Sequence, residues 1–346
     1  MQKSSTFSEP YTPSKLHAFH HWIDTLPGPY WLFAVAFVLF TGILNHIVAW
    51  NEDVLALGEI NWDFAFTGFH FAYFLFAIDF LFRVAKNSLL EFRPILNVNN
   101  DEFSQILFEF THLPARITLI YFGVGGILGV AIGIYLLPIA PELNYAFPEM
   151  EIFLYFLTIG IIFIAIYMVI RTLRLVSRLF ERVEKVDIFD QHSIYAMSRY
   201  SAWIIIIYSI PVYLARVLVP GFTAVTNYFF VWSMIVMYMI MFTIFWLPLR
   251  GINRKLILEK RRLLTEVNSR IKTTFDLIHS RVDNQEFENM FDLKETLESL
   301  KAEKEIIESL HTTPWRTGTI TALTTAVLLP LLGTLLTSLV SWIIKL

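Results

Sequence analysis

Seven stretches of this 346-residue chain are apolar over roughly 20 residues each, the length a helix needs to cross the hydrocarbon core of a bilayer. They run Tyr30–Trp50, Trp62–Phe82, Ile117–Ile139, Ile152–Ile170, Ala202–Val219, Val225–Trp246 and Gly318–Ile344. In lipid each can satisfy its backbone only as a helix. The expected fold is therefore an all-α integral membrane protein with seven transmembrane helices. The fifth stretch is short, holds Pro211 and ends in Arg216. The seventh is long and broken by Pro330, which predicts a tilt or kink.

Composition agrees with this class. Hydrophobic residues make up 55% of the chain and charged residues 16%, against about 25% charged in soluble domains. A net charge of -3 gives no case for nucleic-acid binding, and the absence of cysteine excludes disulfides, thiolate metal sites and a cysteine nucleophile. Residues Met1 to Asp24 hold Pro10, Pro13 and three histidines and do not read as a signal peptide. Ser14 to Thr25 suits a short amphipathic helix on the membrane surface, using Leu16, Phe19, Trp22 and Ile23.

Orientation follows from the lysines and arginines. Of the 27, 25 fall on one side of the seven stretches, in the N-terminal segment and in the segments after stretches two, four and six. The opposite loops carry Glu52, Asp53, Glu59, Asp63, Glu142, Glu149 and Glu151 and no basic residue. The N-terminus is expected in the cytoplasm and the C-terminus outside, in the plasma membrane, with a prokaryotic cytoplasmic membrane as its setting.

The chain divides into a cytoplasmic segment 1–29, a six-helix membrane bundle 30–249, a cytoplasmic hairpin 250–312 and a seventh span 313–346. The inner connections also read as helix. Phe103, Ile106, Leu107 and Phe110 recur at helical spacing, as do Leu173, Val176, Leu179, Phe180 and Val183. Span six continues inward through Leu256, Leu263, Val267, Ile271, Ile278 and Val282 to a turn at Asp283–Gln285. Leu293, Leu300 and Ile307 then mark a second arm in heptad spacing. The apolar stripe on both arms exceeds what one antiparallel pair needs, which suits oligomerisation beneath the membrane.

No catalytic motif is present and no cofactor is implied: HExxH, GxSxG and Walker A are all missing. Asp79 is the acidic residue well inside a span; either it is functional or it pairs with Arg83 at i+4. His46, His70 and Tyr73 stand near the outer ends of spans one and two, as a polar ligand pocket opening outward or as satisfied interfacial side chains. Span three holds Gly125, Gly129 and Gly133 in overlapping GxxxG spacing, the mark of tightly packed helices, and reads as the centre of the bundle. Span seven is rich in hydroxyls. Thr321, Thr324 and Thr325 precede Pro330, and Thr334, Ser338 and Ser341 follow it. They line a narrow pore around a symmetry axis, or they bond back to their own helix.

This layout resembles the insect odorant and gustatory receptor channels: seven spans, cytoplasmic N-terminus, short outer loops, long inner helices and a split last helix. Glu288–Leu310, Thr312-Thr313-Pro314-Trp315 and Gly318–Ile344 carry the likeness. The family's signature in that last helix, a Thr-Tyr pair followed by Gln-Phe, has no counterpart here, so the likeness is topological and transfers no residue roles. It implies a homotetramer anchored through its cytoplasmic helices, a cation pore lined by the final span, and a small-molecule ligand. The chain is also similar to uncharacterised prokaryotic seven-span proteins through Pro248–Ile252 and Pro314–Arg316. The expected function is a homo-oligomeric, ligand-gated, chemoreceptor-like ion channel embedded among membrane lipids. The alternatives are a secondary transporter and a non-conducting sensor or scaffold.

Overall fold

The computed structural model describes residues 9–65, 68–136, 148–183, 187–189, 191–218, 224–285, 288–315, 318–325 and 332; for 212–218 and most of 224–248 it describes the backbone. Helices dominate, and no strand occurs among these residues. In chain order they are α1 Lys15–Asp24, α2 Tyr30–Asn51, α3 Trp62–Ala65, α4 Phe69–Phe92, α5 Asn100–Thr111, α6 Ala115–Leu136, α7 Pro148–Glu181, α8 His192–Leu218, α9 Ala224–Asp283 and α10 Met290–Ser309. Residues 318–325 are helical as well, up to the edge of the described segment.

Among the described residues α2, α6 and α7 are long and apolar enough to cross a membrane. Their faces are apportioned as lipid would require. On α2, Thr41, Gly42, Asn45, His46 and Ala49 turn inward, while Leu32, Val35, Leu39, Phe40, Ile43 and Ile47 are exposed. In water that outer face would be an aggregation surface; against acyl chains it is matched.

The second predicted span is not one helix. α3 stops at Ala65, and Gly68 stands at φ 54 before α4 begins. A side chain at Gly68 would meet Thr41 Oγ1 at 2.7 Å, so the left-handed turn also lets the chain pass close to α2. α4 then runs past Phe82 to Phe92, where Pro94 ends it in a 3-10 turn, Arg93–Ile95. The next helix, α5, starts with a reciprocal capping box: Glu102 N–H donates to Asn99 Oδ1 and Asn99 N–H to Glu102 Oε2.

Antiparallel α6 and α7 touch backbone to backbone. A Cβ at Gly129 would lie 2.3 Å from the Tyr155 carbonyl oxygen, and one at Gly125 2.7 Å from that of Ile159. The glycines form one strip, and one strip needs one neighbour. Hence α6 lies at the edge of the described bundle, not at its centre: Leu119, Ile120, Val124, Ile127 and Ile134 are exposed on its far side. The buried core sits instead where α4, α7, α8 and the middle of α9 converge, around Leu81, Leu89, Phe92, Met168, Val176, Phe180, Met197, Tyr200, Ile252 and Leu256.

Helix α9 is continuous for 60 residues, about 90 Å at 1.5 Å per residue. It ends at the turn expected from sequence, where Gln285 takes φ 57, and α10 folds back along it.

Candidate functional site

At the end of the bundle expected to face outward, the three predicted pocket residues engage different neighbours. His46 is buried, and both ring nitrogens are used: Nδ1 bonds the Gly42 carbonyl at 2.8 Å and Nε2 accepts from Asn61 N–H at 3.1 Å. That pattern requires the proton on Nδ1. Trp50 and Phe64 meet the ring edge-on. Tyr73 instead donates to the Ile207 carbonyl at 2.6 Å, tying α4 to α8, while His70 lies against Phe69. Asn45 Nδ2 donates to Glu151 Oε1 at 3.1 Å, joining α2 to the start of α7. These bonds order this rim of the bundle, and His46 has no ring nitrogen left for a ligand.

Asp79 is likewise committed. Arg83 Nε donates to Asp79 Oδ2 at 2.8 Å, and the same guanidinium reaches Asp24 Oδ1 at 2.7 Å. One cation thus pairs with the Asp79 carboxylate and fastens α1 to α4.

The N-terminal segment is strapped to the foot of α6. Pro13 and Pro114 face each other in an antiparallel bridge. Neither proline has an N–H, so the bonds come from Ser14 N–H to the Leu113 carbonyl (2.8 Å) and Ala115 N–H to the Thr12 carbonyl (3.0 Å). Arg171 on α7 closes the strap by donating to the His112 carbonyl (2.8 Å) and to Tyr11 Oη (2.6 Å), with its guanidinium over the Tyr11 ring. The His112 ring stacks on Phe108 and lies 4.0 Å from that of His17. Burial, with His17 beside it, pushes His112 down to about 4. Burial does the same to His20, also to about 4; its Nδ1 pairs with Tyr30 Oη at 2.8 Å. His17 is lowered too, by burial and then by His21. α1 buries His20 and Ile23 against the bundle and leaves Phe19 and Trp22 exposed, so its apolar residues divide between two faces.

Below the bundle two lysines of α9 cap other helices. Lys255 donates to the Phe180 (2.8 Å) and Val183 (2.6 Å) carbonyls at the end of α7. Lys260 donates to the Glu308 (2.6 Å) and Leu310 (2.7 Å) carbonyls at the end of α10. Both meet the negative end of a helix dipole, where a cation is stabilising. The elbow that follows is held from α8: Gln191 Nε2 donates to the His311 carbonyl at 2.6 Å, and Ser198 Oγ to that of Pro314. Two cavities flank this hub. One of about 700 Å³ is lined by Leu96, Asp187, Phe189, Arg262 and Leu263; one of about 400 Å³ by Phe189, Gln191, Tyr195, Ser309 and His311.

From the elbow the chain enters residues 318–325. Leu323 is 8% exposed and belongs to the core, whereas Thr321, Thr324 and Thr325 are exposed. At 100° per residue Thr321 and Thr325 lie about 160° round the helix from Leu323 and Thr324 about 100°, so the first two face away from the described core and Thr324 stands at its flank. Thr334, Ser338 and Ser341 lie outside the described residues.

Lys255, Lys260, Gln191 and Ser198 escaped the sequence reading. Each bonds to a backbone carbonyl between 50 and 120 residues away, as the separations for Lys260 and Gln191 illustrate, and a carbonyl carries no residue signature. No known protein family, characterised protein or solved structure matches the chain.

Proposed function

We propose that the chain is a homo-oligomeric ion channel of the plasma membrane, crossing it seven times with the N-terminus in the cytoplasm and the last span lining a central pore. The observation that carries this reading is the exposed face of Thr321 and Thr325 opposite the buried Leu323, with exposed Thr324 at its flank. A hydroxyl face turned from its own bundle suits water or a neighbouring copy better than lipid. The elbow supports a role for this segment in gating. Gln191, Ser198 and Lys260 bind the backbone just before it, so movement of α8 or of the α9–α10 hairpin is passed to the helix that follows. Apolar residues left exposed on the hairpin, among them Leu277, Phe291 and Ile306, favour assembly there, and a tetramer is the expected form. A small-molecule ligand is part of this reading.

A transporter draws less support, because its best coupling residue, Asp79, is already paired with Arg83. The test is conduction by reconstituted protein, with Thr321→Val/Thr325→Val beside the wild type. Current from the wild type and altered unitary conductance in the variant are expected. A monomeric particle, or no current under any ligand, voltage or tension, would overturn the reading and move the sensor or scaffold forward.

A further inference from the structure

Three helices change character at one level. On α7 a single exposed stripe, stepping four residues at a time, reads Ile166, Ile170, Arg174, Arg178. On α6 exposed Arg116 is followed by exposed Leu119 and Ile120. The glycine contacts fix the antiparallel register, Gly125 against Ile159 and Gly129 against Tyr155, with Tyr121 and Tyr167 in ring contact at 4.8 Å. Extending that register puts Arg116 level with Met168, about 9 Å or under two helical turns from Arg174. On α9, exposed Trp246 gives way to Arg250. Lys255 reaches the end of α7, and the two helices run the same way, so this switch falls at the height of Arg174. Apolar surface thus meets basic surface along one line, the boundary between acyl chains and headgroups.

The arginines at that line differ from others on the same side. Arg83 holds Asp24 and Asp79, Arg199 holds Glu91, Arg262 holds Glu259 and Arg270 holds Glu266. Arg116, Arg174 and Arg178 form no ion pair among the described residues. Just on the apolar side of them, Tyr167 and Tyr121 lie between the two helices in ring contact.

We propose that the inner end of the α6–α7 pair is a headgroup site for an anionic phospholipid, with Arg116, Arg174 and Arg178 taking the phosphate. The continuous stripe selects the occupant. Ile166 and Ile170 lie directly beside the arginines, so a ligand that satisfies both halves carries an anion and acyl chains in one molecule. The inference rests on α6 and α7 crossing the membrane, and not on conduction.

The test is native mass spectrometry of the full chain in detergent, titrated with phosphatidylglycerol or phosphatidylcholine. The wild type should retain phosphatidylglycerol in preference to phosphatidylcholine, and millimolar inorganic phosphate should not displace it. Arg116→Gln/Arg174→Gln/Arg178→Gln should bind it on the order of 100-fold more weakly, at about 5-fold for each charge removed near the surface. The three lysine substitutions should retain most of the affinity, and Arg262→Gln/Arg270→Gln all of it. If the triple variant does not stay monodisperse, Arg116→Gln and Arg174→Gln singly should each show the 5-fold loss. Unchanged affinity in the variants, equal retention of phosphatidylcholine, or displacement by phosphate would overturn the lipid site. Alkaline carbonate separates the two failures. A chain released from membranes loses the spanning reading and the site together, whereas one that stays in the pellet but binds no phosphatidylglycerol loses the site alone.

Discussion

The α6–α7 pair and the α9–α10 hairpin are both antiparallel helix pairs, yet they are put together in opposite ways. Between α6 and α7 glycines bring the backbones into contact, and the outward faces are apolar. Along the described arm of α9 and α10 few side chains are buried, Val267 and Ile307 among them. The outward faces carry ion-pair ladders such as Glu259–Arg262–Glu266–Arg270 and Lys304–Glu308. The solvent explains the contrast. Lipid gives apolar helices no reason to associate, so close van der Waals packing must do it. Water drives apolar residues together without such closeness, and charged pairs keep the remainder soluble.

The same substitution should have opposite signs in the two pairs. Gly129→Ala on α6 forces a methyl against the Tyr155 carbonyl and should destabilise by about 2–3 kcal/mol. Gly251→Ala on α9 meets open space and should stabilise by up to about 1 kcal/mol through helix propensity. Thermal midpoints in detergent decide it; equal effects would mean that α6 and α7 do not touch as described.

The N-terminal strap at the foot of α6 should respond to acid. His20 and His112 are held at about 4, below the usual 6.5 or so, which means the docked strap refuses protons that the freed strap takes up. Docking is therefore at full strength above pH 6.5 or so, weakens as pH falls towards about 4, and weakens no further below that. His20 alone accounts for up to about 3 kcal/mol, with Asp24, Arg83, His17 and Tyr30 around it. Because the chain has no cysteine, Glu9→Cys gives a single labelling site. Its spin-label mobility should rise between pH 7 and pH 4.5, and a flat profile would refute the assignment.

Lys255→Met joins the two regions, since it removes the cap that α9 places on α7. It leaves the Phe180 and Val183 carbonyls without their charged donor and should cost about 2 kcal/mol, with faster hydrogen exchange over residues 176–183. Smallest of all is Arg270→Gln in the exposed ladder, expected to shift stability by a few tenths of a kcal/mol and less still at high salt. A larger loss would show that the hairpin is buried against a partner.

How much was legible in sequence depended on how local the signal was. Helices α2, α6 and α7 announce themselves by apolar length, and the turn after α9 by Asp283-Asn284-Gln285. The Arg83–Asp79 pairing stood as an alternative because i and i+4 are neighbours on any helix. The break at Gly68 was not legible, because one glycine among phenylalanines is tolerated in a membrane helix unless a neighbour crowds it, as Thr41 does here. Grouping His46, His70 and Tyr73 placed them by depth alone. Depth says nothing of azimuth, and the structure turns His46 to Gly42 and Asn61 and Tyr73 to Ile207.

By itself, then, the sequence determined the helical class, the apolar length of α2, α6 and α7 and the strong bias of basic charge, since each depends on composition summed over a segment against its solvent. Only the tertiary structure decided that α6 is at the edge of the described bundle, that lysines of α9 cap α7 and α10, and that three arginines meet the apolar boundary with no ion pair among the described residues. Those features are set by the rotation and register of one helix against another. Both come from the fit of surfaces distant in the chain, and no segment records its partner's half of that fit.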